Sequence, residues 1–137
     1  MTTNSWRIGD VKITRIVEMT AVRTPDFGYR NLSTEEILAE TWLRPHFATD
    51  DGQLKSCIQA FVVESLGRRI IVDTCVGNDK PRSNAAWNQL QGSFLDDLTA
   101  AGYPPESIDI VLCTHLHVDH VGWNTIMVDE QWAPTFP

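Results

Sequence analysis

Thr114-His115-Leu116-His117-Val118-Asp119-His120-Val121-Gly122 places three of the chain's four histidines within six positions, with an aspartate among them. Imidazole and carboxylate are side chains that zinc and its first-row neighbours accept as ligands. Ahead of this stretch lies Ile108-Asp109-Ile110-Val111-Leu112-Cys113, an apolar, β-branched run that reads as a buried strand. In open α/β sheets, ligand chemistry sits just past the carboxyl ends of strands. The chain is expected to leave strand geometry near His115, and Gly122 gives it freedom to return. A single histidine beside an apolar strand is ordinarily a hydrogen-bonded structural residue. Three of them with an aspartate incur desolvation and, at low pH, mutual repulsion, which a bound cation relieves. The stretch therefore reads as a metal loop.

Upstream, Ile70-Ile71-Val72-Asp73-Thr74 ends a second apolar run on an acidic residue. An aspartate there caps neighbouring N–H groups in a turn. It can also accept the free N–H of a metal-bound histidine and so orient the ring. The two roles for Asp73 are compatible.

The rest of the chain supplies an α/β frame. Residues 11–19 alternate apolar and polar at period two, a half-buried strand entered through the turn Gly9-Asp10. Residues 20–31, with Pro25 and Gly28, read as loop, and the aromatics Phe27 and Tyr29 within it are expected to pack onto the nearest core. Ser33-Thr34-Glu35-Glu36 fits a capping box opening a short helix that ends before Pro45. The lone His46 beyond it has no ligand-type neighbours at metal spacing and is left out of the site. Asp50-Asp51-Gly52 is a turn, and residues 56–64 and 68–74 form a hairpin about Ser65-Leu66-Gly67. Trp87, Leu90, Phe94, Leu95 and Leu98 recur at spacings of three and four, predicting an amphipathic helix with Gly102 beyond its end. Past the metal loop, residues 123–132 read as a turn and short hairpin. Strands, helix, strand and loop in this order make an α/β arrangement.

Length and composition narrow the function. With 137 residues the chain is a single domain's worth, enough for a hydrophobic core. A net charge of −7 and the absence of any basic run exclude a nucleic-acid backbone as partner. No apolar stretch is long enough for a membrane span, and Met1-Thr2-Thr3-Asn4-Ser5-Trp6-Arg7 has no apolar signal core. Cys57, Cys75 and Cys113 are odd in number and lack a C-x-x-C pair, as expected of reduced thiols in the cytoplasm. The expected partner is a small-molecule substrate, with neither nucleic acid nor membrane involved.

His115-x-His117-x-Asp119-His120, with Asp73 upstream at a strand end, resembles the signature of the metallo-β-lactamase superfamily of metal-dependent hydrolases. The resemblance runs from about residue 11 to the C-terminus. It implies an αββα sandwich of two similar halves, of which this chain matches the N-terminal half. Residues 1–137 are accordingly expected to form a single, incomplete domain from a truncated gene product, self-associating through the uncovered sheet face. The resemblance assigns His115 and His117 to one divalent metal, and Asp119 and His120 to a second. Each metal is completed by downstream histidines, and a downstream aspartate bridges the two. Zinc is the expected metal, with iron or manganese as alternatives. Asp119 is the catalytic candidate, as ligand, orienter of the nucleophile and proton carrier, and Asp73 supports the histidines from behind. The activity implied is hydrolysis of an ester, lactone or phosphoester-type substrate by a water whose pKa the metals lower. The acidic balance counts against the nuclease branches, and Val121-Gly122-Trp123-Asn124 departs from the small pair that follows the last histidine in glyoxalase-type members. A lactonase-like or arylester/organophosphate-hydrolase-like branch is preferred. Two other classes stay open. One is a non-catalytic metal-binding or assembly module, or inactive fragment. The other is an iron-dependent redox member of the same superfamily.

Overall fold

The alternation along residues 11–19 does produce a strand, and a longer one than the sequence predicts. In the computed structural model, which describes residues 4–137, β2 (Val11–Arg23) buries Thr14 and Ile16. Met1–Thr3, where the N-terminal stretch read for a leader begins, lie outside the described residues. β2 folds back antiparallel on β1 (Asn4–Ile8), a strand the sequence reading did not resolve, with Ile8 opposite Val11. β3 (Leu54–Ser65) and β4 (Arg68–Val72) form the expected antiparallel hairpin. Leu66 and Gly67 turn it with φ of 50° and 73°, the left-handed pair a two-residue hairpin turn demands.

β5 (Ile110–Leu112) then joins β4 in parallel, giving a mixed sheet in the order β1-β2-β3-β4-β5. Parallel neighbours need a crossover, and α2 (Phe94–Ala100) lies on it. β6 (Thr125–Val128) and β7 (Gln131–Pro134) make a separate antiparallel pair turning at Asp129 and Glu130.

Two expectations on this frame need correction. The helix begins at Phe94 rather than at Trp87, although the apolar spacing fits a helix throughout. Leu90 is held in a bridge to Asn78 and Gln89 takes a left-handed φ of 49°, so the backbone there is already committed elsewhere. The run ahead of the metal loop is a strand, but Ile110, Val111 and Leu112 are exposed, because β5 is the last strand of the sheet.

The described residues divide into two compact units, one comprising the chain up to Glu18 with Ile58–Pro137, the other Met19–Cys57. In the larger unit, Ile16, Ala60, Val62 and Ile71 from the sheet cluster with Phe94 and Leu98 of α2 and with Tyr103, Trp123 and Phe136. The Phe94 and Trp123 rings stack with centroids 5.7 Å apart. In the smaller unit the capping box is formed as the sequence predicts, Ser33 and Glu36 exchanging hydrogen bonds at the start of α1 (Thr34–Ala39). Phe27 and Tyr29 do not pack into a core; both are exposed, and the Arg23 guanidinium lies 4.1 Å over the Phe27 ring.

Tyr103 carries the main polar anchor of the larger unit. Its ring is buried, and its hydroxyl donates to Glu64 Oε2 at 2.8 Å. With its one proton so used, it accepts from Lys12 Nζ at 2.8 Å and from the Thr14 hydroxyl at 2.9 Å. Hydrogen bonds from Lys12 and then from Tyr103 hold the Glu64 carboxyl below its ordinary value of 4.5, against the opposing effect of burial. A depressed folded-state pKa contributes stability that is present above the unfolded value and lost as pH falls through the folded one. Glu64→Gln is therefore expected to lower stability at neutral pH by about 1 kcal/mol, a few degrees in Tm, with the pair 32% exposed and partly screened. Urea titrations of both proteins across pH 7 to 3 should show that gap closing as the pH drops below 4.5. A gap constant with pH would show that the carboxylate charge has no part in it.

Candidate metal centre

The register of β4 on β5 sets Val72 beside Leu112, so both strands deliver their loops at the same end of the sheet. Asp73 N–H extends the ladder one step by donating to Leu112 O at 2.8 Å. Asp73 then turns left-handed, with φ 59°, which ends the strand. Its buried carboxylate accepts from Thr114 N–H at 2.8 Å and from the Thr114 hydroxyl at 2.9–3.0 Å. Asp73 Oδ2 also lies 2.9 Å from His120 Nδ1, although the ring N–H points out of line for a well-directed hydrogen bond. Burial pushes the Asp73 carboxyl up, but His120 and the two Thr114 donors outweigh it and hold the group below the ordinary carboxylate value.

These contacts fix which ring nitrogens face outward. The single Thr114 hydroxyl proton goes to the carboxylate, so toward His115 Nδ1, 3.1 Å away, Thr114 Oγ1 can only accept. His115 is then the Nδ1–H tautomer, which leaves Nε2 as an acceptor. That Nε2 lies 3.1 Å from His117 Nδ1. His120 turns Nδ1 to Asp73, which leaves Nε2 at 3.6 Å from Asp119 Oδ2. The His115 ring is 4.6 Å from that of His117 and 3.9 Å from that of His120.

The donor set fits a divalent cation in pairs. Two donors at 2.0–2.1 Å from one tetrahedral zinc are separated by about 3.3 Å, close to the spacing of His115 with His117 and of Asp119 with His120. Among the described residues, no three His, Cys, Asp or Glu side chains converge as a group able to hold a metal. A catalytic zinc takes three protein ligands and an open position, so each pair is one short. His115 and His117 are exposed, while Asp119 and His120 are half-buried. His46, set aside on sequence grounds, is exposed in the smaller unit.

The loop is held by backbone. Thr74 N–H donates to His120 O at 2.8 Å, Gly122 N–H to Cys75 O at 2.7 Å, and Trp123 N–H to Thr74 O at 2.8 Å. These bonds draw Gly77 and Gly122 together until a Cβ on Gly122 would lie 1.9 Å from the Val76 carbonyl. Two supporting residues had no assigned role in the sequence reading. Thr114 heads the quoted stretch, and its signal was its place beside His115. Asn124 accepts from the Thr74 hydroxyl at 2.8 Å and donates to Cys113 Sγ at 3.6 Å, with no local pattern to mark it.

The family model of the metallo-beta-lactamase superfamily matches residues 58–137. Among solved structures, the chain is similar to the hydrolase AbOPH of the beta lactamase superfamily, at 28% identity and TM-score 0.69. The alignment covers 98% of this chain and 42% of that one. AidC, a dizinc quorum-quenching lactonase in complex with a product N-hexnoyl-L-homoserine, shares the fold at 20% identity and TM-score 0.69, with the same two coverages. Comparison with curated proteins finds no match. The α/β sheet delivers paired imidazole and carboxylate donors at one end. The chain belongs to the metallo-beta-lactamase superfamily, and it spans 42% of the length of each of the two structures. Among the described residues, no helix is long and apolar enough to cross a membrane.

Two outcomes follow from this geometry. Gly122→Ala forces a methyl into the Val76 backbone, which cannot yield as a side chain would, and should destabilise the chain by about 3 kcal/mol or more in urea unfolding. Nitrogen-15 shifts of the metal-free chain at high pH should show His115 as the Nδ1–H tautomer, with Thr114→Val releasing it to a mixture. An Nε2–H tautomer in the unmutated chain would contradict the hydroxyl's assigned direction.

Proposed function

We propose that this chain supplies metal-binding residues of a metal-dependent hydrolase acting on an ester, lactone or phosphoester-type small molecule. The carrying observation is the pair of ligand pairs, 3.1 Å and 3.6 Å between donors, on one loop backed by Asp73. Membership of the superfamily supports the class, and the dizinc lactonase of like fold supports zinc and an ester-type electrophile. The net charge of −7 favours a small substrate over a nucleic acid.

Divalent metal held there would supply Lewis acidity and lower the pKa of water toward neutrality. The chain's own residues do the rest. Thr114 and Asp73 present His115 with its Nε2 lone pair outward, and His120 likewise. His117 faces His115 through Nδ1. Asp119, half-buried beside His120, offers a carboxylate that can ligate through one oxygen and hold a proton on the other. Because each pair lacks a third donor, the remaining ligands come from outside the described residues, in the same protein or across an interface. The second route, an assembly module completed by another chain, would meet the same shortfall.

Zinc competition with a chromophoric chelator tests the reading. The chain should take up zinc, and His117→Ala and Asp119→Asn, each removing one donor from one pair, should each weaken uptake about ten- to a hundred-fold. Failure of the purified chain to bind any divalent metal would sink the assignment. A panel of lactone, aryl-ester and phosphotriester substrates, assayed on the metal-loaded assembly with its ligand sets completed, then separates the hydrolase from the assembly module.

A further inference from the structure

Glu18, near the end of its unit's share of β2, makes contacts that no part of the metal reading uses. Its Oε2 accepts from Val76 N–H at 2.8 Å, and its Oε1 accepts from Gly77 N–H at 3.0 Å and from the Trp123 indole N–H at 2.7 Å. One carboxylate thus takes three donors from two separate segments. Val76 is fully buried, so its N–H has no recourse to water. Consecutive N–H groups beside left-handed residues form a concavity suited to an anion, and Cys75 and Gly77 have φ of 53° and 78°. Here a side chain of the same molecule fills it.

The two segments are the ones that hold the metal loop. Residues 74 and 75 exchange backbone hydrogen bonds with His120, Gly122 and Trp123, and Trp123 stacks on Phe94 in the core. His120 is therefore set at two points: its ring by Asp73, and its carbonyl by Thr74. The position of Thr74 depends in turn on the path of residues 75–77, where Glu18 attaches.

We propose that Glu18 is a positioning residue for the metal loop, clamping residues 76–77 to Trp123 so that His120 is presented at ligand spacing to Asp119. The proposal rests on the metal reading for its purpose, but its geometry is independent of any ion. Glu18→Ala removes all three acceptances. Glu18→Gln keeps an oxygen for Gly77 and Trp123 but sets an amide donor against Val76 N–H. Trp123→Phe removes only the indole donor and retains an aromatic ring on Phe94.

The test compares these variants of the 137-residue chain by zinc competition, the visible spectrum of the cobalt-loaded form, and NMR of the metal-free form. Zinc affinity is expected to fall about ten- to a hundred-fold in Glu18→Ala and by less in Glu18→Gln and Trp123→Phe, with the cobalt bands altered in step. In the metal-free chain, amide exchange at Val76 should quicken in Glu18→Gln, and the His120 imidazole signals should shift. Lower Tm with unchanged zinc affinity, cobalt bands and His120 signals would overturn the proposal and leave Glu18 as a purely stabilising residue. Should Glu18→Ala fail to fold, Glu18→Gln and Trp123→Phe carry the comparison. Should the unmutated chain bind no metal, the metal reading fails by itself, and unshifted His120 signals in Glu18→Gln would then overturn the clamp separately.

Discussion

Parallel pairing of β4 with β5 aligns Val72 with Leu112, and the next residue on one strand reaches the next but one on the other. That register brings Asp73 under Thr114, so one buried carboxylate meets the backbone and hydroxyl at the mouth of the metal loop. Slipping the pair by one residue would turn the Asp73 side chain to the opposite face of the sheet. His115 and His120 each turn Nδ1 toward this contact, to Thr114 Oγ1 and Asp73 Oδ2, which leaves each Nε2 facing away from it.

The segment leaving β4 is unusual in its backbone. Asp73, Cys75, Gly77 and Asp79 all lie at positive φ, and three of them carry a Cβ. Each such residue costs on the order of 1 kcal/mol, so the path persists only because its surroundings demand it. They do so through Leu112 O for Asp73, His120 O for Thr74, Glu18 for Val76 and Gly77, and Leu90 O for Asp79. The strained segment is the one whose backbone holds the neighbouring histidine loop, through Thr74 and Cys75. The Tyr103 network with Lys12, Thr14 and Glu64 is built differently, from a buried phenol and charged partners, and serves the cohesion of the sheet and crossover.

Much of this was legible in sequence because its causes are local. The capping box at Ser33, the Leu66-Gly67 turn and the alternation of β2 are set by neighbours within a few residues. The grouping of His115, His117, Asp119 and His120 was legible because they are near neighbours in sequence, and the place of Asp73 because it closes an apolar run. Trp87 and Leu90 misled because spacing records only that apolar residues could share a helical face. A bridge from Leu90 to Asn78 decides otherwise. The exposure of β5 depends on its place at the sheet's end, which no property of Ile110, Val111 or Leu112 encodes. Glu18 was invisible for a similar reason: its donors stand 58, 59 and 105 positions along the chain.

That last separation bears on how the molecule comes to be folded. Closing a loop from Glu18 to Trp123 asks the chain to surrender freedom across a separation of 105 positions for a single contact. Contacts of this reach slow folding and are made after the local ones have formed. During synthesis, Glu18 leaves the ribosome while its indole partner has yet to be made, and the hairpin of β3 and β4 can pair in the meantime. The backing of the histidine loop is thus a contact of long reach, whose closure waits on a residue made more than a hundred positions after its acceptor.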